Sequence, residues 1–211
     1  MRPFRAPEVV IRRLAVYLRI ISRLDELDNP YVSSKELAEM AGVSPAQVRK
    51  DLATFGEFGK QGVGYDIRFL KDELKSILNA NCCVNMALIG VGELGMALGR
   101  YNLRRREQEK NYPFNLLAAF DVDPSKVGKL IDQKLRIFSM EELDETISRL
   151  GIVLAMITVP AGAAQEVVDR CTAAGVKGIL NFAPVTLKVP PGVRLHHADM
   201  TLELQQLAYY L

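Results

Sequence analysis

The 211 residues predict an α/β protein in two parts, a small helical module ahead of a doubly wound parallel sheet, and three observations carry that expectation. Apolar residues recur at helical spacing as far as Leu78, then give way to short unbroken apolar runs of the kind that form buried parallel strands. Glycines cluster twice, from Gly56 to Gly64 and from Gly90 to Gly95. The formal charge of +2 lies wholly in the first part, where residues 1–80 hold 13 Lys and Arg against 11 Asp and Glu, while the rest balances at 14 against 14. At 49% hydrophobic and 25% charged, the chain can bury a core without disulfides.

Charges run through the opening MRPFRAPEVVIRR where a signal peptide needs an apolar stretch, and no window approaches the ~18 apolar residues of a membrane span. A cytoplasmic protein with no membrane partner is therefore expected. Cys82, Cys83 and Cys171 have neither the even count of a disulfide framework nor the spacing of a zinc site, so they read as small buried hydrophobes and no metal is expected.

The first helix is expected from near Pro7 to just before Asn29-Pro30, because Val10, Leu14, Tyr17, Ile21 and Leu24 fall on one stripe. Arg2, Arg5, Arg12, Arg13, Arg19 and Arg23 face a single acid, Glu8, over residues 1–23. Such a patch suits a polyanion, although a solvated helix face would look the same. Ser33 or Ser34 can cap a second helix, Lys35 to Ala41, which Gly42 ends. Ser44-Pro45 then launches a third helix through about Phe55. Small Ala38, Gly42 at the turn and apolar Val48 fit a helix-turn-helix, with Gln47, Arg49 and Lys50 projecting from the second of its helices. Arg or Lys to guanine and Gln to adenine are the expected major-groove pairings. The glycine-rich stretch Gly56 to Tyr65 reads as a hairpin wing whose Lys60 and Tyr65 could lie against phosphates or the minor groove. It lacks the Gly-Lys-Ser/Thr ending of a phosphate-binding P-loop. Ile67, Leu70, Leu74, Ile77 and Leu78 make a further amphipathic helix, completing a winged-helix domain over residues 1–80. The polar seam Asn79-Ala80-Asn81-Cys82 follows.

Val84 to Ile89 is a buried-type strand running into Gly90-Val91-Gly92-Glu93-Leu94-Gly95 and a helix from Met96 to Arg100 and beyond. Gly90 makes the tight turn, Gly92 admits a pyrophosphate, and Gly95 lets helix and strand pack closely, while the helix N-terminus supplies amide donors. Leu116 to Phe120 leads to Asp121, 26 residues past Gly95 because the charged loop Arg104 to Lys110 intervenes. A carboxylate there can hold both adenosine ribose hydroxyls, favouring NAD over NADP, with Lys126 and Lys129 softening that preference. Further βα alternation follows. Leu135 to Phe138 is a strand, Ser139 with Glu142 a capping box for a helix to Leu150, and Ile152 to Val159 a buried strand. A helix from Ala161 to Ala174 stops at Gly175, and the strand Gly178 to Leu180 ends in Asn181-Phe182-Ala183-Pro184. This is a Rossmann-like sheet over residues 81–198. Ligands of such sheets sit beyond the strand ends, where Thr158, Pro160, Asn181, Phe182 and Ala183 would line the nicotinamide half.

His196 and His197 are the chain's two histidines, and only about 27 residues follow Pro184, too few for the substrate domain a dehydrogenase usually needs. No enzyme is expected. The terminal segment, residues 199–211, puts Leu204, Leu207, Ala208 and Leu211 on one stripe, and so short an apolar helix calls for a groove, expected on a second subunit. Two alternatives stay open, a small NAD-dependent oxidoreductase and a CoA- or nucleotide-binding module.

Val48-Arg49-Lys50-Asp51, the run Phe55 to Tyr65, the Gly90 to Gly95 fingerprint, Phe120-Asp121-Val122-Asp123, Thr158-Val159-Pro160 and Asn181 to Pro184 together resemble the Rex-type redox-sensing transcriptional repressors. The resemblance spans nearly the whole chain. It implies a homodimer, joined by a swapped terminal helix, that binds inverted-repeat operator DNA when NADH is scarce and releases it when NADH accumulates. DNA contacts would then fall on Ser44, Gln47, Arg49, Lys50, Lys60, Gly62, Gly64, Tyr65 and Arg12. Contacts to NADH or NAD⁺ would fall on Gly90, Val91, Gly92, Glu93, Leu94, Gly95, Tyr101, Asp121, Val122, Lys126, Thr158, Val159, Pro160, Asn181, Phe182 and Ala183. Family switch contacts carry over onto Arg19, Tyr101 and Asp199.

Overall fold

A computed structural model describes residues 6–27, 30–60, 62–109 and 112–211; Arg2, Arg5, Asn29, Gln61 and Lys110 lie outside the described residues. The chain forms two compact units that divide between Cys82 and Cys83.

The first unit holds α1 (Glu8–Glu26), β1 (Tyr31–Val32), α2 (Ser34–Ala41), α3 (Pro45–Ala53), β2 (Gly59–Lys60), β3 (Gly64–Asp66) and α4 (Ile67–Ile77). Ser33 and Glu36 close a capping box at the start of α2, Gly42 ends it in the left-handed region at φ 68°, and Ser44 with Pro45 opens α3. Leu14, Tyr17, Ile21, Leu37, Val48, Ile67, Leu70 and Leu74 are fully buried and form one core. The three short strands make an antiparallel sheet in the order β1-β3-β2, with Lys60 opposite Gly64 across the wing. The third helix stops at Ala53, two residues short of the expected end.

The second unit holds β4 (Val84–Ile89), α5 (Glu93–Gln108), β5 (Phe114–Asp121), β6 (Leu130–Ile131), β7 (Leu135–Ser139), α6 (Leu143–Arg149), β8 (Leu154–Ile157), α7 (Ala161–Ala173), β9 (Gly178–Asn181), β10 (Arg194–His197) and α8 (Met200–Ala208), with a 3₁₀ turn over Met140–Glu142. Strand order is β10-β9-β8-β4-β5-β7-β6, parallel except where β6 pairs antiparallel with β7. Chain order reverses between β4 and β8, creating the crevice at which such sheets bind ligands. Among the described residues β5 is joined to β7 by turns over residues 124–128 and the β6 hairpin. One expectation needs correction: Cys82 and Cys83 are exposed, because they sit in the polar connection before β4 and not in the strand, and of the three cysteines only Cys171 is buried.

No helix among the described residues is long and apolar enough to cross a membrane. Every residue of α8 is exposed, including Leu202, Leu204 and Leu207.

Candidate DNA-reading face and candidate dinucleotide site

In the first unit, Val48 and Leu52 turn α3 inward, and Asp51 goes in with them at 1% exposure. A lone buried carboxylate would be prohibitive; this one is surrounded by donors. Arg13 Nε and a terminal guanidinium nitrogen donate to its two oxygens at 2.5 and 2.7 Å, the Tyr17 hydroxyl at 2.9 Å and the Gln47 amide nitrogen at 2.7 Å. Burial alone would raise the Asp51 pKa, but hydrogen bonds from Arg13, Gln47 and Tyr17 outweigh it and hold the carboxyl below its ordinary value. Burial, and the same carboxylate, push the Tyr17 phenol up. The cluster ties α1 to α3.

Sequence reasoning missed this cluster. Arg13, one of the arginines of the expected polyanion-facing patch, reaches inward, whereas Arg12 and Arg19 are exposed on α1. The available signal was an acid at position 51 on the Val48–Leu52 stripe, one turn from a polar Gln47.

Three expected DNA contacts also have intramolecular partners. Ser44 Oγ accepts from the Gln47 backbone N–H at 3.1 Å, Arg49 donates to Ser34 Oγ at 3.0 Å, and Gln47 is half-buried with its NH₂ on Asp51. That bond ties the Gln47 amide to α3's buried acid. Lys50 and Lys60 are exposed, the latter at the wing beside Gly62, whose φ of 81° requires glycine and whose surroundings are open. Tyr65 needs correction. It is 8% exposed and packs into the core, and a Cβ on Gly59 would lie 2.7 Å from its ring, so the wing strand folds over this ring instead of presenting it.

In the second unit the glycine loop follows from contacts at three positions. Gly90 has φ 93°, and a Cβ there would lie 2.8 Å from the Thr158 carbonyl oxygen. Gly95 has even less room, with its Cβ 2.0 Å from the Gly90 carbonyl. Gly92 faces open space and caps α5 without a side chain, so the first amides of this 16-residue helix have no side-chain cap. Thr158 pins the crevice by donating its hydroxyl to the Gly90 carbonyl at 2.7 Å.

Asp121 ends β5 at 7% exposure, accepting from Val91 N–H at 2.7 Å, Asp123 N–H at 2.9 Å and Lys126 Nζ at 3.2 Å. Burial raises its pKa, and those donors together bring it below the ordinary value. Its carboxylate thus anchors the loop and keeps about one acceptor direction open for a hydroxyl. Val91 is buried with its N–H on that carboxylate, so Glu93 and Leu94, both exposed, carry the open end of the loop, with Val122 82% exposed beside Asp121 in sequence.

Across the crevice, Val159 is half-buried and Pro160 exposed, while Phe182 is half-buried against the Met86, Leu88 and Val91 side of the core. Asn181 and Ala183 are corrected from lining to framework. Asn181 is 1% exposed and binds the Ala183 backbone on both sides, and the Ala183 side chain is buried. Tyr101 lies on the outer face of α5, 53% exposed, its hydroxyl accepting from Arg105 at 3.1 Å. Eight residues past Glu93, it is ~12 Å along the helix, away from the loop. Asp199 caps α8 through Thr201 N–H at 2.8 Å.

A model described as a putative DNA-binding protein N-terminus matches residues 5–53, and one described as a CoA binding domain matches residues 83–185. A redox-sensing transcriptional repressor Rex from Brevibacillus brevis is 46% identical over 204 residues, covering 97% of this chain and 96% of that protein. A Rex from Syntrophobacter fumaroxidans is 43% identical over 211 residues, covering 100% and 98%. The chain belongs to the Rex family of redox-sensing transcriptional repressors.

Solved Rex-family structures agree over the same span. One, described as RSP in complex with beta-NAD+ and operator DNA, superposes with a TM-score of 0.89 at 36% identity, covering 98% of this chain and 93% of that one. Another, RSP in complex with beta-NADH, gives 0.84 at 34% identity, covering 98% and 94%. Rex membership covers both units at once, and the family is one of transcriptional regulators and not of enzymes.

Proposed function

We propose that this chain is a cytoplasmic repressor that reads the NADH/NAD⁺ balance, binding an inverted-repeat operator as a homodimer when NADH is low and leaving it when NADH binds. The observation that carries the reading is full-length similarity to Rex repressors, at 46% identity, by a chain whose one unit is a winged helix and whose other opens an uncapped glycine loop at a sheet's reversal point. Residues 1–80 are the DNA-binding part, 81–198 the NADH-binding part and 199–211 the dimerising helix, whose exposed apolar face fits a groove on a second copy.

The residues fit the dinucleotide. Gly92 leaves space where a Cβ would stand, the α5 amides supply donors for a pyrophosphate, and Asp121 with Lys126 borders the ribose position. NADH, when bound, differs from NAD⁺ in having a neutral nicotinamide ring, and no hydride is transferred. Phe182 and Val159 offer that ring an apolar surface, which penalises a buried cation and so favours NADH. On the DNA side Arg49, Lys50 and Gln47 face base edges, while Lys60 on the wing and Arg12 on α1 meet phosphate.

Coupling follows from linkage: if NADH favours the dimer geometry that mismatches the half-site spacing, each ligand weakens the other by the same factor, about 5- to 150-fold for ~1 to 3 kcal/mol. Arg19, Tyr101 and Asp199 carry the switch. Titrating the protein with NADH and NAD⁺ by nucleotide fluorescence and calorimetry tests the sensor half: NADH must bind at least tenfold tighter, and equal affinities would overturn the reading. Asp199→Ala must keep DNA binding but lose its sensitivity to NADH.

A further inference from the structure

The end of β9 is held by an amide whose orientation is fixed by its backbone partners. Asn181 Oδ1 accepts from Ala183 N–H at 3.0 Å, while Nδ2 lies 2.9 Å from the Ala183 carbonyl and 3.2 Å from the Val185 carbonyl. Turning the amide over would set NH₂ against N–H and an oxygen against two carbonyls, so only one orientation is allowed. The same Nδ2 lies 3.1 Å from His197 Nδ1, on the neighbouring strand β10, where His197 pairs in register with Asn181. An amide NH₂ only donates, and its two hydrogens are shared among these three neighbours, so a hydrogen bond to the ring is one that His197 Nδ1 accepts, from a ring that carries its proton on Nε2.

We infer that His197, as the neutral Nε2–H tautomer, is a positioning residue for NADH. It latches β10 to the Asn181–Val185 turn, whose Phe182 is the apolar wall proposed for nicotinamide, and this inference rests on that proposal. An imidazolium has no acceptor at Nδ1 and would place N–H against N–H, so protonation opens the latch. His197 is exposed. β9 and residues 182–187 contain no ionisable side chain; β10 brings His196 and Arg194, and beyond it Asp199 is engaged in capping α8.

The test separates the latch from the cofactor proposal. Long-range ¹H–¹⁵N correlation of the histidine rings in the cofactor-free full chain, with His197 assigned by its loss in His197→Asn, must show the Nε2–H form at neutral pH. An Nδ1–H ring overturns the inference whether or not NADH binds. For NADH affinity, His197→Asn restores an acceptor at the Nδ1 position and must stay within about twofold of wild type. His197→Gln, which reaches the Nε2 position, and His197→Ala must each weaken binding about 5- to 10-fold. Equal affinities for the Asn and Gln variants refute the latch. A wild type that binds no NADH would fell the cofactor proposal, and the ring tautomer would still decide the geometry.

Discussion

Asp51→Ala is the severest test of how the DNA-reading helix is held. The substitution strips the acceptor from the Arg13 guanidinium, the buried Tyr17 hydroxyl and the Gln47 amide at once. Breaking a buried, fully hydrogen-bonded pair costs about 3–5 kcal/mol. Arg13 keeps 23% of its side chain exposed and can turn toward water, which places the expectation near about 3 kcal/mol. With a urea dependence of about 1 kcal/mol/M for a unit of this size, the midpoint should fall by about 2–3 M. Amide resonances of α1 and α3 followed through a urea titration report this unit alone. The pH dependence supplies a signed check. The folded Asp51 carboxyl titrates below its unfolded value, so its stabilisation is present above about pH 4 and is lost as pH falls further. Tyr17 is shifted upward, so its contribution is complete below about pH 10 and lost above it. A midpoint shift under about 0.5 M for Asp51→Ala, or a pH profile unchanged by it, would refute the argument.

Four further outcomes are expected. Gly92→Ala should fold with wild-type Tm, because its Cβ meets nothing, yet lose NADH binding more than about tenfold through obstruction of the pyrophosphate; Gly95→Ala should lose about 3 kcal/mol or more in thermal unfolding, because its Cβ would strike a backbone carbonyl. Lys60→Ala should weaken operator and non-operator DNA alike, and lower the slope of log K against log salt by about 0.9, as measured by anisotropy at several salt concentrations. Native protein should react with a thiol reagent at Cys82 and Cys83, whereas Cys171, buried and with its pKa pushed up to about 12, should react only after unfolding.

What could be read from the sequence was what is decided locally. Ser33, Gly42, Ser44-Pro45 and the Gly90 to Gly95 fingerprint each set caps and turns with residues a few positions apart, and the helices and strands formed where they indicated. What was missed depends on distant partners. Asp51 looks like a surface acid until α1 brings Arg13 and Tyr17 over it from 38 and 34 residues away. Tyr65 looks like a wing-tip aromatic until β3 is paired between β1 and β2 and turns it inward. Asn181 looks like a strand-end contact, and its burial emerges only once residues 183–185 fold back onto it. Cys82 and Cys83 read as buried hydrophobes because their count and spacing fit neither a disulfide framework nor a zinc site, yet the connection that holds them is polar and exposed.

The central claim is that one chain binds operator DNA and NADH at each other's expense, and a single titration tests it most directly. Labelled inverted-repeat duplex from upstream of the protein's own gene is saturated with protein at one fixed salt concentration, and its anisotropy is followed as NADH, or NAD⁺ at equal concentration, is added. The account predicts release by NADH and retention under NAD⁺. Anisotropy that stays high at NADH concentrations shown by fluorescence to saturate the protein would contradict it.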